Sequence, residues 1–154
     1  MPPVPTWLSS LVEQLPALGS VEALAAEKEG SDYSGAPWPV FVEQKLMDQN
    51  IPATRLMEFF LRKFPALLPA SLESAEIANT AEVFNDEFIE KFNVVPFNAA
   101  PPFLALAVID PDMLSEFYPV YVGWAKTNQF SLLQYFITLP SDFRSYLERR
   151  NNAV

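Results

Sequence analysis

The side chains that could do acid–base or metal chemistry here are carboxylates, because the sequence contains neither histidine nor cysteine. Asp110 and Asp112 flank a proline and are the best candidates for a catalytic or metal-binding pair. Two carboxylates alone make a weak metal site, whereas Asp before Pro is a common helix start at which the carboxylate accepts from free backbone N–H groups. We therefore predict that both aspartates cap a helix, and we predict no catalytic residue, no metal-binding residue and no bound cofactor.

The chain is strongly acidic, with a formal net charge of −9 and a pI of about 4.4 over 154 residues. Like charges in a row, such as Asp86, Glu87 and Glu90, usually face water, and we predict a solvated acidic face there. Such a protein lacks the basic surface that nucleic acids and anionic lipids bind. No segment reaches the ~20 apolar residues of a membrane span, and the N-terminus lacks the positive charges of a signal peptide. We expect a cytoplasmic protein with no nucleic-acid partner and no direct membrane insertion.

Half of the sequence is hydrophobic, including 13 phenylalanines, which is enough for one domain with a sizeable core. Thr6 is the expected N-cap of a first helix and Ser20 of a second, on which Lys28 faces water. Residues 30–39 are rich in Gly, Ser and Pro and are predicted to form a linker, within which Trp38 covers one end of the core.

Two further helices are predicted over residues 40–47 and 52–64. The second one is apolar over a wider part of its circumference than a single buried face requires. We assign Leu56, Phe60 and Phe64 to the core. Met57 and Leu61 either meet a second element of the chain or face a partner, and the sequence leaves both possibilities open.

Residues 88–112 carry the clearest local pattern in the chain. Helical apolar spacing is followed by a β-branched run at residues 94–97, loop residues at 98–102, an apolar run at 103–109 and then Asp-Pro-Asp. This order predicts a helix, two strands joined by a hairpin-like loop, and the start of another helix.

The flanking segments complete the prediction. Residues 65–81 are expected to be irregular, anchored by Leu67, Leu68 and Leu72, with a short strand or helical turn at 76–78. After the central pattern we predict a helix over 113–126 that Pro119 kinks, a third strand over 130–138 and a last helix over 140–150. In that last helix we assign Phe143 and Leu147 to the core, and we predict that four charged residues are exposed: Arg144, Glu148, Arg149 and Arg150.

The order of a helix ending in Phe92, the run VVPF at residues 94–97, a loop, an apolar strand and an Asp-Pro helix start resembles the N-terminal domain of type II secretion and type IV pilus assembly ATPases. The resemblance covers residues 40–150, with Ile109 where the family usually has Ala. It implies an α+β fold in which an N-terminal helical part packs on a small αβ unit with three strands. We accordingly divide the chain into an N-terminal helical arm and linker, residues 1–35, and a family-like domain, residues 36–154.

The resemblance also implies that catalysis belongs to a separate C-terminal module, which binds ATP and Mg²⁺ through a G-x-x-x-x-G-K-[ST] loop. The chain has four glycines, and none of them lies in such a loop. We therefore expect a non-enzymatic chain, either an excised domain or a stand-alone relative. The loose ending at residues 152–154 slightly favours an excised fragment.

The function implied by the resemblance is that of an adaptor. It would dock an assembly ATPase on the cytoplasmic domain of an inner-membrane platform protein, which would place the chain at the inner membrane through a protein partner. The ATPase module would be its second partner. Apolar residues of the first and fourth predicted helices are our candidate partner-binding residues: Trp7, Leu8, Leu11, Met57 and Leu61. We expect Leu8→Glu or Met57→Glu to weaken docking while the domain still folds cooperatively.

The alternative is a sensor of a cyclic dinucleotide such as cyclic di-GMP. Some relatives bind this messenger through helical repeats that carry an Arg, a Gly and spaced leucines. The matching residues here, 40–51, keep Leu46 and an apolar Met47 but have Phe41 and Glu43 where the Arg and the Gly would be. A carboxylate at that place would repel the ligand's phosphates, so the sequence disfavours this function.

Overall fold

The computed structural model of the chain describes residues 3–72, 86–120 and 130–152. Residues 114–120 are helical and are called α6. The other helices are α1 Leu8–Gln14, α2 Val21–Glu29, α3 Trp38–Asp48, α4 Thr54–Lys63, α5 Asp86–Phe92 and α7 Pro140–Asn152. The strands are β1 Leu68–Pro69, β2 Val94–Ala100, β3 Phe103–Val108 and β4 Leu132–Ile137. Within the described residues, no helix combines the length and the apolar character needed to span a membrane.

The strands form one mixed sheet in the order β1-β4-β3-β2. β2 and β3 make the predicted antiparallel hairpin, with an irregularity in the register between Pro96 and Asn98. β3 and β4 are parallel, as are β1 and β4. This arrangement confirms the α+β fold. The sequence predicted three strands, and β1 is an additional one of only two residues, Leu68 and Pro69, too short to show any period.

Several element boundaries differ from those predicted. α3 begins at Trp38 rather than at residue 40, because Pro37 and Pro39 both fit next to or within a first helical turn. β2 continues through the predicted loop to Ala100, so the turn is reduced to Pro101 and Pro102. The suggested strand or turn at residues 76–78 and the second half of the helix at 113–126 lie outside the described residues.

The core is one cluster of apolar side chains to which both halves of the chain contribute. Trp7, Leu8 and Leu11 are fully buried, and the Trp7 ring makes an edge-to-face contact with Phe60 at a centroid distance of 4.8 Å. The prediction that these three residues face a partner is therefore wrong, because the chain's own core already covers them. The boundary at residues 35 and 36 stays a prediction.

Two basic residues predicted to be exposed are buried instead. Lys28 has 0% of its surface exposed. Its Nζ donates to the Ser34 carbonyl at 3.0 Å and lies 5.2 Å from the centre of the Trp38 ring. Arg150 is buried at the end of α7. Long aliphatic stems allow such residues to cover apolar surface while the charged head reaches a polar group.

The apolar assignments fare better. Leu56, Phe60, Leu67, Leu72 and Phe143 are buried as predicted, whereas Leu68 is exposed on β1. Phe64 and Leu147 are only partly buried and pack against the core.

We expect Leu8→Glu to unfold the domain, whereas the sequence alone predicted that this variant would still fold cooperatively. Placing a carboxylate at a fully buried leucine removes apolar burial and strands a charge, at a cost of at least ~3 kcal/mol. Ser9→Glu is the matched control, because Ser9 is exposed on the same helix and its change should stay within about 0.5 kcal/mol. Urea unfolding followed by circular dichroism measures both, and equal stabilities would contradict the burial of Leu8.

Candidate partner-binding site

The turn that follows β3 holds the N-terminal segment in place. Asp110 is the N-cap of a 3₁₀ turn at Pro111–Met113, and its Oδ1 accepts from the Asp112 backbone N–H at 3.0 Å. The same Oδ1 accepts from the indole Nε1 of Trp7 at 2.9 Å. Helix capping by Asp110 is thus confirmed, and the carboxylate has a second role that the sequence did not indicate.

Asp112 binds the chain directly before α1. Thr6 donates to its two carboxylate oxygens, through the backbone N and through Oγ1, at 2.7 Å each. The prediction that Thr6 caps the first helix is therefore wrong, because its hydroxyl is engaged with Asp112. No side-chain hydrogen bond caps α1. Ser20, in contrast, caps α2 as predicted by accepting from the Ala23 N–H at 3.1 Å.

A cleft of about 500 Å³ opens beside these two aspartates. Residues 3–5 form one wall, and Pro37 and Trp38 at the start of α3 form another. Met113 and Leu147 add apolar surface, and the end of α5 closes the remaining side with Glu90. The cleft is therefore built from five separate parts of the described chain, and the contacts of Asp110 and Asp112 join two of them, the N-terminal segment and the turn after β3.

Negative charge dominates the cleft. Glu90, Asp110, Asp112 and Glu116 line it, and among the described residues Lys91 is the only basic one that does. Burial raises the pKa of Asp110 above its ordinary value, although hydrogen bonds from Trp7 and Asp112 oppose this shift. The solvated acidic face predicted on α5 is present at Glu87 and Glu90, which are both exposed, and Glu90 also lines the cleft.

Trp38 lines this cleft, and its indole N–H is buried without a partner among the described residues. The indole is 2% exposed, and no described residue accepts a hydrogen bond from its Nε1. Lys28 lies over the ring, and burial lowers the pKa of that lysine below its ordinary value. The sequence predicted that Trp38 covers the core from within a linker, and the structure buries its indole but makes Trp38 the first residue of α3.

The remaining candidate docking residues lie on α4. Met57 and Leu61 are partly buried and pack against the core, one turn apart on the same side of the helix. They do not line the cleft at Asp110, nor a smaller one of about 230 Å³ between α1 and α4. Their predicted contact with a partner stays a prediction.

The segment compared with messenger-binding repeats is part of α3. Phe41 is buried, and Glu43 is buried with its Oε2 accepting from Ser141 Oγ at 2.9 Å. Burial raises the pKa of Glu43, whereas the hydrogen bonds from Ser141 lower it. These two positions face the interior rather than a ligand. Met47 is exposed on the same helix.

No three His, Cys, Asp or Glu side chains are grouped so as to hold a metal ion in the part of the chain that the structure describes. The cleft is lined by carboxylates and by apolar side chains. Its rim residues, Glu90 and Glu116, were not singled out from the sequence as a pair. They lie 26 positions apart, and only the path of the chain from α5 through the hairpin to α6 brings them to one place.

We expect Asp110→Ala to destabilise the domain by roughly 2–4 kcal/mol, because it leaves the buried Trp7 N–H without an acceptor and removes a cap. Asp110→Asn should cost ~1 kcal/mol or less, since an amide oxygen can still accept. Asp32→Ala, at an exposed position, is the control. Chemical denaturation compares the three variants, and equal losses for Ala and Asn would show that the hydrogen bonds do not matter.

The raised pKa of Glu43 predicts a pH dependence of stability. The protonated carboxyl is favoured in the folded state, so the contribution of Glu43 is greatest below its ordinary pKa of 4.5 and is lost as pH rises through the higher folded value. Glu43→Gln keeps an acceptor for Ser141 and does not ionise. We expect the stability of the wild type to fall relative to this variant as pH rises from about 4 to 7. Parallel profiles in urea unfolding would contradict it.

The comparisons with known proteins bear on the fold. Neither the protein-family models nor the curated protein sequences contain a match to the chain. Among solved structures, one of MshE with cdg aligns at a TM-score of 0.50 and 16% identity, covering 91% of this chain and 94% of that one. The N-terminal domain of XpsE aligns at a TM-score of 0.44 and 15% identity, covering 84% of this chain and 92% of that one. The chain thus has the fold of the N-terminal domains of type II secretion and type IV pilus assembly ATPases, as the order of its motifs predicted.

Proposed function

We propose that the chain is a non-catalytic adaptor domain that docks a type II secretion or type IV pilus assembly ATPase on the cytoplasmic domain of an inner-membrane assembly protein. The fold that it shares with such N-terminal domains supports this proposal. In the proposal, ATP and Mg²⁺ belong to a C-terminal ATPase module. The sequence of this chain contains no phosphate-binding loop that could perform that chemistry.

The observation that carries the docking role is the apolar flank of α4. Met57 and Leu61 lie half-buried beside the core face of Leu56 and Phe60, so part of each side chain stays in contact with solvent. Folding alone removes only part of the apolar surface of these side chains from water. A partner helix that covers the rest would therefore gain binding free energy. Exposed Glu58 on the same helix would provide part of a polar rim.

Charge would set the orientation and rate of docking. The chain carries a net charge of −9, so a platform protein with a basic patch would be attracted over several ångströms and would associate faster at low ionic strength. Attachment through such a partner would hold the domain at the inner membrane without inserting it into the bilayer. Acidic surface groups would be repelled by anionic lipid headgroups.

Cyclic di-GMP sensing is the second candidate, and one observation favours it. The fold neighbour MshE is described with cdg. Against it, Phe41 and Glu43 are buried, so the two positions matched to the family's Arg and Gly do not face solvent. Sensing through these residues would require α3 to move away from α7 and Ser141.

We expect the domain to bind the soluble cytoplasmic domain of the inner-membrane protein of its own system at micromolar or tighter Kd, more weakly at high salt. Met57→Glu should reduce this affinity by roughly tenfold or more, because it places a charge in an apolar interface. Ser9→Glu, which adds the same charge on α1, should leave it unchanged. Isothermal titration calorimetry measures all three, with circular dichroism to confirm folding.

A parallel titration with cyclic di-GMP separates the two functions. Heat from the platform domain alone supports the adaptor. Heat from cyclic di-GMP alone would overturn the adaptor proposal in favour of a sensor. If the wild type and Met57→Glu bound the platform domain with equal affinity, the adaptor function would stand, but the docking surface would not be the one on α4.

A further inference from the structure

The exposed surface of α4 is positively charged, although the chain as a whole is strongly acidic. Arg55, Arg62 and Lys63 are three of the ten basic residues in the sequence, and all three are exposed. Glu58 is the only acidic residue of this helix, so α4 has a local charge of +2 in a chain whose net charge is −9. The helix that carries the half-buried Met57 and Leu61 therefore differs in sign from its surroundings.

The two arginines of α4 are not neutralised by the rest of the described chain. Arg62 forms no hydrogen bond and no ion pair with a described residue. Arg55 Nε lies 3.7 Å from Glu58 Oε2, and these side chains keep 49% and 58% of their surface exposed. In contrast, Lys45 on α3 pairs with Glu27 at 2.9 Å. Because an exposed pair contributes at most ~1 kcal/mol, Arg55 can exchange Glu58 for a carboxylate of a partner at little cost.

The spacing of the α4 side chains matches that of a second helix. Arg55 and Arg62 are two turns apart on one flank of the exposed surface, and Met57 and Leu61 are one turn apart on the other flank. The side chains of a helix packed against α4 repeat with the same period. An added β-strand would need free backbone groups, and those of a helix are already bonded within it.

We propose that the α4 surface binds an amphipathic helix of the partner in which carboxylates flank an apolar stripe. The inference rests on the proposed adaptor function and names the element of the partner that α4 would bind. In this arrangement the apolar stripe covers Met57 and Leu61. Two carboxylates seven positions apart on the partner helix pair with Arg55 and Arg62.

The opposite signs of the local and net charges would orient such a partner. Charges farther apart than the Debye length, ~8 Å at physiological salt, are largely screened, so the residues of α4 dominate once the surfaces touch. A partner that is basic elsewhere is drawn to the acidic chain, and its charges match on contact only when its acidic helix meets α4.

The test uses two synthetic amphipathic helices with the same leucine stripe, one flanked by glutamates and the other by lysines. Each carries a fluorescent label and is titrated with the chain by anisotropy. We expect the glutamate helix to bind roughly tenfold more tightly, since it gains two exposed pairs where the lysine helix meets two like charges. The net charge of −9 alone would favour the lysine helix, so tighter binding of that helix, or no binding of either, would overturn the proposal.

Variants locate the contact on α4. Arg55→Gln/Arg62→Gln should weaken binding of the glutamate helix roughly threefold to tenfold. The matched control Lys91→Gln/Arg144→Gln removes two exposed basic residues on α5 and α7 and should bind as the wild type does. All four positions are exposed, so both double variants should fold, which circular dichroism checks. Equal losses in the two double variants would show that the arginines of α4 have no specific role and would overturn the proposal.

Titration with the platform domain separates this proposal from the adaptor function. If the platform domain bound the wild type and Arg55→Gln/Arg62→Gln equally well, the adaptor function would stand and the acidic helix would be refuted. If the platform domain did not bind, but the glutamate helix bound in a manner that depended on Arg55 and Arg62, the adaptor function would be refuted and the helix-binding surface would stand.

Discussion

The carboxylate of Asp110 is the contact on which the arrangement of this domain depends. It ends the hairpin unit by capping the turn after β3, and with the same oxygen it holds the indole of Trp7. Because Trp7 packs edge-to-face on Phe60, the carboxylate links the sheet to α4 through the N-terminal segment. Burial raises the pKa of this group, so the domain keeps a carboxylate where its ionised form is disfavoured in return for two oriented hydrogen bonds. The cleft lies beside this linkage.

Local patterns were enough to predict much of the fold. The hairpin, the Asp-Pro-Asp turn and the Ser20 cap each follow from residues within a few positions of one another, and all three are present. β1 and the start of α3 were missed or misplaced because a two-residue strand has no period and because prolines at a helix start resemble linker composition. The parallel pairing of β3 with β4 is not visible in either strand alone.

The candidate site was much less predictable, for a physical reason. Thr6 and Asp112 are 106 positions apart, and the roles of both residues change once they meet. Lys28 was assigned to water because its neighbours are glutamates, whereas its burial follows from Trp38 and the Ser34 carbonyl. Glu43 was considered only as a charge that would repel a phosphate ligand, and it is held inside by Ser141 of α7. Each error concerns a polar side chain whose surroundings are set by a distant part of the chain.

The pairing of Thr6 with Asp112 also has a consequence for synthesis. The contact closes a loop of more than a hundred residues, whose entropy must be lost before the contact forms. Translation proceeds from the N-terminus, so Trp7 leaves the ribosome long before the turn at Asp110, which accepts its indole N–H, has been made. Trp7 is fully buried in the finished domain, and until that turn is made its indole lacks this partner and stays open to chaperones that bind exposed apolar segments.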